Sequence, residues 1–324
     1  MKPPLLATLS MFWRCAIVLV CVLVTGCSTA PVTEPVANAA PLNPWRTLIG
    51  GFLAPAGAPF GLAARPGSGA FVKLIAPTAL ALRGNDLLVV DSGAARLWRV
   101  DLALNTLSPI VGAPATPATV VALGPDLSAW VLDGVARQVL RFARDGRLLQ
   151  TYRAGSSLTA PVAFVLADAG ATLLVADESL RQWVEFRPVG AFAVSVRPGL
   201  ADGAEVRGVD GLATAGDRVF VLDRSAAVVH VVRRDGQVLG RLGEAELKQP
   251  VAIAADRFGR VFVVDAQDRA VKLLSPGRTT QVFDAALLRV QVIGGIAVDE
   301  RFLAVADRLS GQVVIHVVRT PERP

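Results

Sequence analysis

Cysteine is nearly absent from this chain, and all three copies, Cys15, Cys21 and Cys27, lie within the first 27 of 324 residues. The rest of the sequence holds no disulfide and no Cys-x-x-Cys pair, so the fold must be held by burial alone. Histidine is almost as scarce, with His230 and His316 only, which leaves no H-E-x-x-H zinc signature. There is also no G-x-S-x-G nucleophile turn and no glycine-rich phosphate loop. Sugar-stacking platforms are few: Tyr152 is the one tyrosine, beside 5 Trp and 13 Phe. Clustered charge is missing too. Basic residues outnumber acidic ones 33 to 27, and without Lys2 and Arg14 the balance is 31 to 27, or +4. The basic residues are mostly arginines spread along the chain with no Lys/Arg run, which argues against a nucleic-acid surface.

What is present is a repeat. Residues 249–283 read as four short apolar, β-rich runs separated by three turns: Val251–Ala255, Val261–Val264, Val271–Leu274 and Thr280–Phe283. Such a stretch forms a four-stranded antiparallel meander, and one meander of about 40 residues cannot bury both its faces without copies beside it. The copies are marked by an aspartate closing each second strand: Asp91, Asp133, Asp177, Asp223, Asp265 and Asp307, spaced 42, 44, 46, 42 and 42 residues apart. An apolar run precedes each one, as at Ala79–Leu82 and Gly295–Val298. Four strands per unit at a period near 42 predict an all-β chain folded as a six-bladed β-propeller of four-stranded antiparallel blades. None of the tryptophans precedes an aspartate, unlike WD40 repeats.

The sixth copy supplies only three strands, ending at Ile315–Val318, and RTPERP cannot make a fourth. An N-terminal strand, Trp45–Ile49, is therefore expected to complete the sixth blade and close the ring. Pro321 and Pro324 would blunt the remaining edge. Phe52–Phe71, rich in Gly, Ala and Pro, is expected to be loop.

Proline followed by small and apolar residues, a Gly/Asp turn, an apolar strand ending in Asp, an Arg- or Gln-bearing loop and a later Asp-Gly turn together resemble NHL repeats. The best matches are Pro250 to Gly277 and Gly211 to Gly236, with Asp145-Gly146 and Asp235-Gly236 as the turns. The resemblance covers about residues 66–324. It implies a TolB-like six-bladed propeller, and it carries little about function, since such propellers serve binding proteins and enzymes alike.

The chain's start has its own grammar. Cys15–Thr25 is an 11-residue apolar core, short for a membrane span of about 20 residues and suited to a signal peptide over 1–26. It runs into Val24-Thr25-Gly26-Cys27, which resembles a bacterial lipobox and implies that Cys27 becomes a diacylated N-terminus. Ser28 resembles the sorting pattern of outer-membrane lipoproteins. Residues 27–44 then form a proline-rich tether, with the propeller over 45–324. The expected location is the outer membrane, lipid-anchored, with the propeller on the periplasmic side.

Candidate chemistry is sparse. An aspartate at a strand end accepts backbone N–H groups of the following turn, so the six aspartates are read as turn holders rather than an acidic ring. The nearby Arg96, Arg137, Arg181, Arg224, Arg269 and Arg308 would neutralise those loops, and they are the candidate interaction face. His230 and His316, each followed by Val-Val-Arg, are read as occupying comparable places in copies four and six, between blades or at the rim. Trp130 falls in a core strand, whereas Trp98 and Trp183, at the third strand, are expected to be partly exposed. Asp210-Gly211-Leu212-Ala213 resembles the metal-binding pattern of the gluconolactonase family, but that family also uses an inner-strand asparagine. Here Asn38 and Asn43 lie in the tether, and Asn85 and Asn105 in turns. The expectation is a monomeric, non-catalytic protein-interaction scaffold without a cofactor, working on other envelope proteins. A small-molecule or glycan binder and a metal-dependent lactonase centred on Asp210 are the alternatives.

Overall fold

The computed structural model describes residues 42–54, 69–187, 193–199, 206–275, 277 and 280–318. The stretch expected to be a signal peptide, Cys27, most of the expected tether and the prolines at 321 and 324 lie outside the described residues. The chain is a six-bladed β-propeller. Blade 4 shows the plan: Gly211–Ala215, Arg218–Asp223, Val228–Arg233 and Val238–Leu242 run antiparallel from the innermost strand outward. Blades 1 to 5 each begin their own first strand in this way, at residues Pro77, Val120, Pro161, Gly211 and Pro250.

The second strand of each blade explains why a ring forms. Its residues are buried on both sides, and alternate residues serve different neighbours. In blade 1, Leu88 and Val90 pack against Ala129 and Val131 of blade 2, while Leu87 and Val89 pack against Ala304 and Ala306 of blade 6. Leu132 then meets Val175 of blade 3, Leu174 meets Val219 of blade 4, Leu222 meets Val263 of blade 5, and Val264 meets Val305 of blade 6. Six interblade cores thus close on themselves. A strand covered on both faces reads as a continuous apolar run rather than an alternating one, hence VFVVD and LLVVD.

Blade 6 is completed from the N-terminus. Its own strands are Ile293–Val298, Phe302–Asp307 and Gln312–Val317, and Asn43–Leu48 pairs antiparallel with the last of these as the outermost strand. The closure strand expected at Trp45–Ile49 is therefore present, two residues earlier. Trp45 stacks on Phe302 at 4.7 Å, and Leu48 is sealed into the core between blades 6 and 1.

Two sequence expectations fail, each for a packing reason. The stretch 52–71 is not all loop. Gly50–Leu53 adds in parallel to Thr106–Pro109, the outer strand of blade 1, and Phe71–Lys73 pairs with it, so that sheet has six strands. One of the glycines in that stretch permits a close approach: a Cβ on Gly69 would collide with the Leu53 carbonyl. The indoles of Trp98 and Trp183 are buried, 3% and 0% exposed, because a third strand still lies between neighbouring blades and only the fourth meets solvent.

Candidate interaction face

The turns after the second strands lie at the same end of the ring as the blade-to-blade connections, and the aspartates tie the two together. Asp91 accepts N–H groups of Ile75 and Ala76, in the segment leading into its own blade, at 2.9 and 2.8 Å, and of Ala94 in the turn at 3.2 Å. Asp177 does the same with Thr159, Ala160 and Leu180. Asp307 takes Gln291, Val292, Leu309 and Ser310. Asp223 accepts from Gly208, Ala226 and the Ser225 hydroxyl. Asp133 is the exception, with the Ala136 N–H at 2.9 Å as its single partner among the described residues. The sequence showed the turn bonds but gave no sign of those to the incoming segment, which lies some 15 residues upstream.

Asp265 carries the heaviest duty. It accepts N–H groups of Lys248 (2.7 Å), Gln249 (3.2 Å) and Asp268 (3.3 Å), and the Lys272 ammonium at 2.8 Å. Burial alone would raise its pKa, but the Lys272 ammonium and the three N–H donors outweigh burial and hold it at about 2. Lys272 is pulled the other way. Burial disfavours its charge, yet Asp265 and Asp268 raise its pKa above the ordinary lysine value. In blade 4 the equivalent position, seven residues past the aspartate, is His230, whose Nε2 lies 3.6 Å from Asp223. Burial would raise the Asp223 carboxyl, and His230, Ser225 and backbone donors bring it well below the usual range instead. His316 is not at that position. It sits two residues farther along its strand, opposite Leu303, fully buried, with Nε2 3.1 Å from the Leu288 carbonyl of the blade 5–6 connection. Burial pushes its pKa down.

The six arginines are all exposed on this face but occupy three different stations. Arg137, Arg181 and Arg269 stand four residues after the aspartate, at φ of 52°, 50° and 51°. Ala95, Ala227 and Gly311 hold the same left-handed station in the other blades, at 48°, 50° and 66°. Arg224 and Arg308 follow their aspartates directly, and Arg96 opens its third strand, 5.6 Å from the Trp98 ring. Among the described residues none of the six forms an ion pair with the six aspartates, and all of those but Asp133 spend their oxygens mainly on backbone N–H groups. Arg224 instead donates to the Val251 carbonyl (2.9 Å) and Arg269 to that of Gln291 (3.1 Å), each reaching the next blade. Because a left-handed backbone costs an L-residue about 1–2 kcal/mol and glycine nothing, Arg137→Gly is expected to alter stability by less than about 1 kcal/mol. Urea unfolding checks this, and a larger loss would mean that the Arg137 side chain holds the turn.

The opposite face has a different electrostatic character. There the guanidinium groups meet carboxylates, often across blades: Arg144 with Asp86 (3.4 Å), Arg234 with Asp168 (3.3 Å) and Glu185 (3.2 Å), Arg257 with Glu300 (2.8 Å) and, within one blade, Arg141 with Asp126 (2.7 Å). The turn face therefore carries arginines answered by carbonyls or by solvent, while its own aspartates point inward. It also exposes Val135 (93%), Val111 (80%) and Leu309 (65%).

Asp210 immediately precedes the innermost strand of blade 4. Its Oδ2 accepts the Arg224 N–H at 2.7 Å, and its own N–H goes to the Leu222 carbonyl. Among the described residues, no three His, Cys, Asp or Glu side chains come together in an arrangement fit for a metal ion.

With this geometry in view, known structures identify the architecture. Virginiamycin B lyase from Staphylococcus aureus superposes with a TM-score of 0.53 at 10% identity, over 76% of this chain and 96% of that one. A gluconolactonase from Xanthomonas campestris superposes with a TM-score of 0.56 at 16% identity, over 89% and 99%. A Bacteroides thetaiotaomicron protein of unknown function gives 0.58 at 13%, over 77% and 71%. They share the propeller fold. At such identities the likeness extends to nothing finer. The sequence matches no protein-family model and no curated protein.

Proposed function

We propose that this chain is an envelope lipoprotein of NHL type, anchored through Cys27 on the periplasmic side of the outer membrane. Its propeller acts as a non-catalytic docking platform for other envelope proteins. The observation that carries this reading is the contrast between the two faces. Exposed arginines without carboxylate partners, beside exposed aliphatic side chains, match the composition of contact surfaces, where arginine is favoured. Five of the six turn aspartates, all but Asp133, are consumed in holding the backbone rather than free for acid–base or metal chemistry, and an Asp210 oxygen is occupied by the Arg224 N–H. The VTGC motif and the proline-rich segment after it support the anchor and tether.

Two measurements in a Gram-negative host test the proposal. Palmitate labelling is expected for the wild type and not for Cys27→Ala, and equal labelling removes the anchor. A photocrosslinking residue at Val135 or Leu309 is expected to trap discrete envelope proteins, whereas one at Arg147, on the opposite face, traps none. Equal trapping from both faces, or none from either, overturns the platform. Lactone hydrolysis by the purified protein that is lost on Asp210→Ala would make it an enzyme instead.

A further inference from the structure

We infer that the cleft between blades 5 and 6 on the turn face seats an acidic side chain from an extended aliphatic segment of a partner protein, its carboxylate held between Arg269 and Arg308. This deepens the docking reading and rests on it. The cleft has a volume of about 390 Å³, with Val251, Ala252, Ile293 and Gly294 among its walls and the two arginines at its rim. That is room for one or two side chains of a partner rather than for a large cofactor.

Charge around the cleft has one sign. Arg269 is braced against the Gln291 carbonyl at 3.1 Å, which aims a guanidinium without neutralising it. Arg224 from blade 4 is fixed on the Val251 carbonyl, on the cleft's other wall. Arg308 makes no side-chain hydrogen bond or ion pair among the described residues. Asp265, which also borders the cleft, is wholly buried against Lys272 and backbone N–H groups, and Asp268 is paired with Lys248 at 2.6 Å and Lys272 at 2.5 Å. Two arginines from consecutive blades thus line a cleft whose neighbouring carboxylates are already neutralised, and a third, Arg224, is bonded to one of its wall residues. Guanidinium groups bind carboxylates in bidentate fashion, and their bonds strengthen at a partly apolar wall.

The walls select what carries the carboxylate. A Cβ on Gly294 would lie 2.5 Å from the Pro77 carbonyl, so position 294 projects nothing into the cleft. Val251 (36% exposed), Leu287 (43%) and Leu309 (65%) stand in or beside the segments that line it. An acidic residue flanked by aliphatic ones complements that pattern, whereas a free hydrated anion would leave these side chains uncovered.

The test uses the full chain in detergent and a fluorescein-labelled peptide, Gly-Leu-Val-Glu-Val-Leu-Gly, against its Gln counterpart, read by anisotropy. The Glu peptide is expected to bind in a salt-sensitive manner, and the Gln peptide about tenfold more weakly. Arg308→Ala is expected to weaken the Glu peptide by about the same factor and leave the Gln peptide unchanged. Arg147→Ala, on the opposite face, is expected to change neither. Equal binding of the two peptides, no effect of Arg308→Ala, or no binding of either overturns the inference. Inorganic phosphate that protects Arg308 from a guanidine-modifying reagent while neither peptide binds assigns the cleft to a small anion, and also overturns it. If the cleft fails while crosslinks from Val135 persist, the docking platform stands without it. If those crosslinks are also absent, both fail.

Discussion

Asp265→Ala is expected to cost about 3–5 kcal/mol of stability, the range for breaking a buried ion pair from one side. The same change at Asp133 is expected to cost only about 1 kcal/mol. The two residues end equivalent strands, so the difference comes from what each carboxylate answers. Among the described residues Asp133 meets only the Ala136 N–H. Asp265 is fully buried and meets three backbone N–H groups and an ammonium that is itself 3% exposed. Removing it strands Lys272 with Asp268 and the Glu246 carbonyl as its remaining partners. Adding Lys272→Met to Asp265→Ala should therefore recover part of the loss, since the buried charge that has lost one of its two carboxylates leaves with it. Urea midpoints at constant m-value measure all three variants. A loss at Asp265 no larger than at Asp133 would show that the carboxylate is incidental to the blade.

The same site sets an acid limit. The folded-state pKa of Asp265 lies at about 2, below the ordinary 3.8. A carboxylate whose pKa falls on folding contributes stability that is complete above the unfolded value and disappears as the pH drops through the folded one. Its share is therefore lost between about pH 4 and pH 2. Asp223, Asp177 and Asp307 are shifted in the same direction and steepen the loss. In Asp265→Ala the slope over that window should be shallower than in the wild type.

How much of this was written legibly in the chain follows from the range of each interaction. The six blades were legible because VFVVD, LLVVD and their kin repeat at a near-constant spacing, and a strand buried on both faces needs no partner to announce itself. The closing strand was legible by subtraction, from three strands where four were needed. The added pair on blade 1 was not. Phe52 and Leu53 open a Gly/Ala/Pro-rich stretch that reads as loop until the outer strand of blade 1 is seen paired with them. The arginines illustrate another limit. Their recurrence near each aspartate suggested a set that neutralises the loops, but the shared feature is the left-handed station four residues on, which alanine and glycine also fill. Which arginines reach a neighbouring blade depends on where Val251 and Gln291 present their carbonyls, and no local spacing records that. Lys272 and His230 share a register seven residues past their aspartates, a signal that was available in the alignment of the repeats.

Removing the closing strand is expected to have the largest effect of all. A chain lacking residues 1–40 keeps Asn43–Leu48 and should unfold at the wild-type midpoint. A chain lacking residues 1–50 should lose its single cooperative transition and associate at micromolar concentration. The loss has three parts that act together. The ladder from Asn43↔Val317 to Leu48↔Val313 disappears and leaves Gln312–Val317 as a free edge rich in valine and isoleucine, an open template for another chain. Leu48, 1% exposed, leaves the core shared by blades 6 and 1. The Arg46 guanidinium, which donates to the Leu102 carbonyl and to Asn105 Oδ1 of blade 1, no longer ties the last blade to the first. Point variants separate these parts. Trp45→Ala removes the stack on Phe302 and should cost about 1 kcal/mol. Leu48→Asp places an unpaired carboxylate in a sealed core and should approach the deletion in severity. If the longer deletion stays monomeric with an unchanged melting curve, blade 6 is complete without its N-terminal strand. The ring would then be held by the interblade cores alone.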